Sequence, residues 1–123
     1  MDKILVQETD RDILDLLSII LQEGGYQVLS TIGFEGILEQ IDKFRPHVVM
    51  LDFKLNGEES IKAYKVIRTK YPHLPVIALS CNTNIHLEYS RHGFDDYISK
   101  PFDINHLYSV LREHMPKPKD VQG

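Results

Sequence analysis

The chain has 123 residues, 42% of them hydrophobic, which suffices for one domain with an ordinary core and argues against disorder. Its 14 Lys and Arg against 18 Asp and Glu leave a net charge of −4, which argues against a nucleic-acid-binding surface. A single cysteine excludes an internal disulfide and is typical of a reducing compartment. Charged residues in the first twenty positions exclude a signal peptide, and no later apolar run reaches membrane length. We therefore expect a soluble, cytoplasmic domain that binds neither nucleic acid nor membrane.

The first part of the chain predicts a strand, a helix and a second strand. The apolar run at residues 4–6 is typical of a strand, and Asp10 is a candidate N-cap for the helix that follows. Apolar residues then recur at helical spacing until Gly24, which supplies a stop. Residues 26–29 predict the second strand.

The middle of the chain repeats this alternation. An apolar stripe over residues 34–44 predicts a helix. The continuous apolar run at residues 48–51 is typical of a strand buried on both faces. Asn56-Gly57 marks a turn, and an apolar pattern at residues 61–71 predicts a third helix.

The last part of the chain is less uniform. Residues 76–79 and 97–98 predict the fourth and fifth strands, and residues 104–111 predict a final helix. The polar stretch at residues 82–93 fits either a short, loosely docked helix or an irregular loop. Residues 116–123 contain two prolines and no apolar period, so we interpret them as a C-terminal tail or the start of a linker.

The alternation of five strands with five helices predicts an α/β domain with a parallel sheet. Right-handed crossovers then place helices on both faces of that sheet. Ligands of such sheets bind beyond the carboxyl ends of the strands. The residues that follow each apolar run are therefore the candidates for a functional site.

Polar residues of complementary chemistry follow four of the predicted strands. These residues are Glu8, Thr9, Asp52, Ser80 and Lys100. A carboxylate can attack a phosphoryl group to form an aspartyl phosphate, and a hard divalent cation can bridge carboxylate and phosphoryl oxygens. An ammonium and a hydroxyl can stabilise the transferred oxygens. The pattern predicts phosphoryl chemistry at one edge of the sheet.

At residues 1–115 the sequence resembles the receiver domain of two-component response regulators. The motifs that carry the resemblance are KILV at 3–6, the acid Glu8, VVMLD at 48–52, Asn56-Gly57, PVIALS at 75–80 and DDYISKPF at 95–102. The resemblance implies a flavodoxin-like (CheY-like), doubly wound sheet with strand order 2-1-3-4-5. It also implies a phosphoacceptor signalling domain rather than an enzyme. Its partners would be a sensor histidine kinase or phosphotransfer protein, and a downstream protein or C-terminal effector domain.

The resemblance assigns Asp52 as the phosphoacceptor and as a ligand of Mg2+. Glu8 matches the first residue of the family's acidic metal-binding pair, and the backbone carbonyl of Lys54 matches a further ligand. Thr9 stands where the second acid of the pair is usual. Because a neutral hydroxyl replaces a charged ligand, we expect Mg2+ affinity at least about tenfold weaker than with an acid at this position.

Three further residues match family positions outside the metal site. Ser80 matches the hydroxyl residue and Lys100 the lysine that contact the phosphoryl group. Tyr97 matches the aromatic switch residue, through which the family couples phosphoryl binding to its output face. Asn56 replaces the usual proline, and the segment from Ser80 to Tyr97 is shorter than usual at the expense of the fourth helix.

Other functions remain to be weighed against phosphoacceptance. A receiver-like interaction module that does not depend on phosphorylation is favoured by Thr9. An aspartate-nucleophile phosphatase needs a second aspartate two residues after the nucleophile, where this chain has Lys54. A flavin-binding domain needs a phosphate loop after the first strand, where the acids Glu8 and Asp10 would repel a phosphate.

We further expect Cys81 to be a small buried residue, because no basic neighbour in sequence would activate its thiol.

Overall fold

Five parallel strands form one sheet in the order β2-β1-β3-β4-β5. The computed structural model of the chain describes residues 1–54, 56–82 and 84–116. The strands are β1 (Lys3–Gln7), β2 (Gln27–Thr31), β3 (Val48–Asp52), β4 (Val76–Ser80) and β5 (Asp96–Ser99). This arrangement confirms the flavodoxin-like α/β fold and strand order expected from the sequence.

Each strand is followed by a helix, and the helices cover both faces of the sheet. They are α1 (Arg11–Glu23), α2 (Ile37–Phe44), α3 (Glu58–Lys70), α4 (Ile85–Arg91) and α5 (Ile104–His114). Buried residues of α1 and α5 pack in one apolar cluster, and those of α2, α3 and α4 pack in another. Because successive strand residues face opposite sides, the sheet contributes to both clusters. Every residue of β3 and β4 is buried, as the continuous apolar runs predict.

The first residues of α1 and α3 are determined by a capping side chain and by a glycine turn, respectively. Asp10 caps α1 as predicted, and its carboxylate accepts hydrogen bonds from the N–H groups of Asp12 and Ile13. The third helix begins at Glu58, three residues earlier than its apolar pattern indicates, because Gly57 turns the chain with a φ of +74°. A Cβ atom on Gly57 would lie 2.2 Å from the ring of Phe53. Only glycine therefore fits this turn.

Of the two structures open to residues 82–93, the chain adopts the short helix. The seven residues of α4 bury Ile85, and Tyr89 packs against the ring of Tyr97 at a centroid distance of 4.9 Å. The helix is short because most of its sequence is polar and offers little apolar surface to bury. The predicted tail at residues 116–123 lies outside the described residues, apart from Pro116. In the part of the chain that the structure describes, no helix is long and apolar enough to cross a bilayer.

Candidate functional site

Three strands bring two carboxylates and an ammonium together at their carboxyl ends. Asp52 is the last residue of β3, and Glu8 and Lys100 follow β1 and β5 directly. The Lys100 Nζ atom lies 2.6 Å from Glu8 Oε1 and 3.1 Å from Asp52 Oδ1. One ammonium is therefore shared between two carboxylates that are 44 residues apart in the chain.

Backbone amides hold both carboxylates in place. Asp52 is 3% exposed and Glu8 is 1% exposed. The N–H of Thr9 donates to Asp52 Oδ2 at 3.3 Å, and the N–H of Asp10 donates to Glu8 Oε2 at 3.0 Å. Each carboxylate thus has one oxygen on Lys100 and the other on the loop after β1.

The pKa values of Glu8, Asp52 and Lys100 shift differently, although all three groups lie in the same buried cluster. Burial raises the pKa of the Glu8 carboxyl, and the contact with Lys100 offsets this only in part. Burial acts in the same direction on Asp52, but hydrogen bonding by Thr9 and Lys100 holds the pKa of Asp52 below its usual value. The two carboxylates outweigh burial at Lys100 and raise its pKa. Of the two carboxyl groups, Asp52 is therefore the one that ionises more readily.

The Asp52 carboxylate is reached from solvent through two clefts. The first, of about 550 Å³, is lined by both carboxylates together with Thr9, Cys81 and Lys100. The second, of about 320 Å³, adjoins Asp52 on the side of the α3 N-terminus. A small anionic group therefore has space beside Asp52 although its side chain is nearly buried.

Ser80 and Tyr97 lie beside this centre rather than within it. Ser80 is the last residue of β4 and fully buried, and its Oγ atom accepts a hydrogen bond from the N–H of Asn82 at 2.9 Å. Tyr97 is half-buried and packs on Tyr89 of α4. Ser80 therefore contacts the loop that follows β4, and Tyr97 of β5 contacts α4.

Cys81 differs from the prediction of a small buried residue. It is exposed and lines the larger cleft beside Asp52. The prediction was wrong because Cys81 follows Ser80, the last residue of β4, and therefore belongs to the loop at the cleft. A short apolar run does not reveal where its strand ends.

Gln7 belongs to the site although the sequence analysis gave it no role. Its side chain is fully buried at the end of β1. Its Nε2 atom donates to the carbonyl of Ile32 at 2.7 Å, and its Oε1 atom accepts from the N–H of Asp52 at 3.0 Å. The signal that could have found it is an amide side chain within an apolar strand, directly before the acid Glu8.

The donor set at the cleft fits a hard divalent cation. Such ions prefer carboxylate, carbonyl and hydroxyl oxygens. The larger cleft is lined by Glu8, Thr9, Asp52 and Lys54, which together offer donors of these types. Lys100 adds one positive charge beside the two carboxylates of this donor set.

Comparison with known proteins identifies the family. The sequence profile of the response regulator receiver domain matches residues 4–112. The chain therefore belongs to the family of response regulator receiver domains, which act in two-component phosphorelay signalling and typically bind Mg2+. Receiver domains of this family interact with histidine kinases and effector domains.

Two curated relatives are longer proteins. The chain is 30% identical over 114 residues to the response regulator FleR of Pseudomonas aeruginosa, which covers 91% of this chain and 24% of that protein. It is 30% identical over 111 residues to the nitrogen assimilation regulatory protein NtrX of Azorhizobium caulinodans, which covers 87% of this chain and 24% of that protein. The chain thus spans about a quarter of the length of these relatives.

Solved structures agree with this assignment. The receiver domain of NtrX from Brucella abortus superimposes with a TM-score of 0.80 at 29% identity, over 90% of this chain and 96% of that one. The response regulator TrrA of Thermotoga maritima, in complex with Mg2+ and BeF, gives a TM-score of 0.82 at 25% identity, over 94% of this chain and 100% of that one. Both confirm the fold expected from the sequence.

Proposed function

We propose that Asp52 accepts a phosphoryl group from a phosphohistidine on a sensor histidine kinase or a phosphotransfer protein. The observation that carries this proposal is the Lys100 Nζ atom, which lies 3.1 Å from Asp52 Oδ1 at the edge of an open cleft. An ammonium beside the attacking carboxylate stabilises negative charge on the transferred oxygens. The lowered pKa of Asp52 supports the same role, because the carboxylate is ionised at neutral pH.

The proposed transfer has a simple balance of bonds and charges. A carboxylate oxygen of Asp52 forms a bond to phosphorus, while the bond between phosphorus and the imidazole nitrogen of the donor breaks. The electron pair of that bond returns to the imidazole, which takes a proton from water. The product is an acyl phosphate on Asp52, and no oxidant or further reactant is needed.

The proposed Mg2+ ligands are the carboxylates of Glu8 and Asp52 and the backbone carbonyl of Lys54, with Thr9 in place of a second acid. When bound, Mg2+ neutralises charge on the phosphoryl oxygens. Lys100 contributes a fixed positive charge at the same place. We propose that the affinity for Mg2+ is low, since Thr9 supplies no charge and Lys100 repels a second cation.

The proposed output runs from the site to the α4 segment. Ser80 ends the strand next to Asp52, and its hydroxyl is bonded to the backbone after β4. Tyr97 packs between the sheet and Tyr89 of α4. A phosphoryl group that attracts the Ser80 hydroxyl would release this backbone contact and favour a second arrangement of Tyr97 and α4. The face so altered would bind a downstream protein or a C-terminal effector domain.

We extend the proposal to the boundaries and compartment of the domain. The receiver occupies residues 1–115, and residues 116–123 form a tail or the start of a linker. The relatives that this chain matches over a quarter of their length support a following effector domain. Histidine kinases transfer phosphoryl groups from ATP, so we propose a cytoplasmic location.

Intact-mass measurement tests the phosphoacceptor role. We expect the chain to gain one phosphate when incubated with Mg2+ and either acetyl phosphate or a phosphorylated phosphotransfer protein. Asp52→Asn abolishes this gain, because an amide is a poor nucleophile. The matched control is Asp12→Asn on the exposed side of α1, which leaves the gain unchanged. A wild-type chain that gains no phosphate, or a gain that persists in Asp52→Asn, contradicts the proposal.

A second candidate function is an interaction module that does not depend on phosphorylation. Two observations favour it, the neutral Thr9 and the short contact between Glu8 and Lys100, because both reduce the site's attraction for a cation. This candidate expects no phosphate gain in the wild type and equal partner binding by the wild type and Asp52→Asn. The leading proposal expects the opposite result in both measurements.

A further inference from the structure

The amide side chain of Gln7 joins β1 to the backbone of β3 and to the loop after β2, at the edge that carries Asp52. Gln7 lies at the end of β1 and is fully buried. It accepts from the N–H of Asp52 in β3 at 3.0 Å and donates to the carbonyl of Ile32, just beyond β2, at 2.7 Å. A buried amide with partners on two other segments fixes the distance between them.

The bond from the Asp52 N–H to the Gln7 side chain is made where the pairing of β1 with β3 ends. The pairing of β1 with β3 ends at Gln7 and Leu51, one residue before Asp52. On the other side of β3, the N–H of Phe53 donates to the carbonyl of Leu79 in β4 at 2.7 Å. The backbone on either side of the Asp52 α-carbon is thus tied in opposite directions, to β1 through a side chain and to β4 through the main chain.

The bond to Ile32 connects Asp52 to the wall of the smaller cleft. Ile32 and Phe34 line that cleft together with Gln7, Thr9 and Asp52. The Gln7 amide therefore fixes the position of the Asp52 backbone and that of the loop at Ile32.

We propose that Gln7 is a positioning residue that holds the Asp52 carboxylate at the place where it meets Lys100 and the incoming phosphorus atom. This inference rests on the proposed phosphoacceptor role of Asp52. Displacing a reacting group by about 1 Å can slow a reaction by up to about a hundredfold. Loss of the Gln7 amide therefore lowers the rate of the chemical step more than the binding of a small donor.

Gln7→Met is the test variant, because methionine has a similar length and no hydrogen-bonding amide. The matched control is Gln40→Met on α2, since the buried Gln40 Oε1 atom has no hydrogen-bond partner among the residues that the structure describes. With acetyl phosphate as donor, Gln7→Met should lower the maximal rate of phosphate gain by about tenfold or more. The half-saturating acetyl phosphate concentration should stay within about twofold of wild type, and Gln40→Met should change neither value. An unchanged maximal rate in folded Gln7→Met overturns the proposal.

Amide hydrogen exchange tests Gln7 even in a chain that accepts no phosphate. In the wild type, the N–H of Asp52 should be protected to a degree similar to that of Phe53, which has a backbone partner. Gln7→Met should speed exchange at Asp52 by about tenfold or more relative to Phe53. Equal exchange in the two proteins overturns the role of Gln7, as does an unprotected Asp52 amide in the wild type. Absence of phosphate gain in the wild type, with these exchange results as expected, would instead overturn the proposed function alone.

Discussion

Replacing Thr9 with aspartate should tighten the binding of Mg2+ at the proposed site. Thr9 lines both clefts beside Asp52, and its N–H is 3.3 Å from Asp52 Oδ2. The wild-type centre holds two carboxylates and one ammonium, a net charge of minus one. Thr9→Asp adds a second unit of negative charge at the same place, without removing any existing ligand.

Coulomb's law gives the size of the expected effect. Two unit charges about 4 Å apart interact by about 1 kcal/mol even at the dielectric constant of water, so a divalent ion gains about 2 kcal/mol. This corresponds to an affinity increase of about thirtyfold, and partial desolvation of the new carboxylate reduces it. We therefore expect Mg2+ to bind at least about tenfold more tightly to Thr9→Asp.

Isothermal titration of Mg2+ into the unphosphorylated domain measures this difference directly. The matched control is Thr69→Asp, which adds the same charge on the exposed side of α3, away from the site. Thr69→Asp should leave the Mg2+ affinity unchanged. The reasoning is refuted when Thr9→Asp binds Mg2+ no more tightly than wild type, or when both variants bind it equally more tightly.

Two further substitutions have expected effects on the free energy of unfolding, measured by urea denaturation. Gly57→Ala should destabilise by about 2–4 kcal/mol, because a left-handed φ and overlap with the Phe53 ring both oppose a Cβ atom. Gly36→Ala, with a similar φ of +71° and open space, should lose only about 1–2 kcal/mol, and equal losses would contradict the role of the ring. Lys100→Met should destabilise by about 3–5 kcal/mol at pH 7, because it removes the positive charge that contacts two buried carboxylates. The lowered pKa of Asp52 in the wild type means that its contribution is present above its ordinary pKa of 3.8 and is lost as the pH falls. The loss in Lys100→Met should therefore shrink as the pH falls below 3.8, and a loss that stays constant well below that pH would contradict this account.

The fold was predictable from sequence because its signals are local and repeated. Continuous apolar runs in β3 and β4 report burial on both faces, and the strand order follows from the family resemblance. The proximity of Lys100 to Glu8 and Asp52 was also predictable, because parallel strands bring their carboxyl ends to one edge of the sheet. Residues that directly follow strands are therefore informative even when they are far apart in the chain.

Three features could not be predicted from the sequence, because each depends on where one strand ends or on one contact between distant residues. Gln7 is buried because β1 is still paired with both β2 and β3 at this residue, which an apolar pattern does not specify. The exposure of Cys81 depends in the same way on the last residue of β4. The polar sequence of α4 left helix and loop open because the contact of Tyr89 with Tyr97 is tertiary. Contacts between side chains of distant elements cannot be predicted from the local sequence pattern.

With Asp52 as the proposed phosphoacceptor, the single ammonium shared by Glu8 and Asp52 would tie metal affinity to phosphorylation. An acyl phosphate on Asp52 would exchange one carboxylate charge for the two charges of a phosphoryl group, which Lys100 alone does not balance. The phosphorylated pocket would thus carry more negative charge than the unphosphorylated one and would hold a divalent ion more firmly. By thermodynamic linkage, the ion stabilises the acyl phosphate by the same factor. A domain that binds Mg2+ weakly in its unphosphorylated state would retain the ion for as long as Asp52 carries the phosphoryl group.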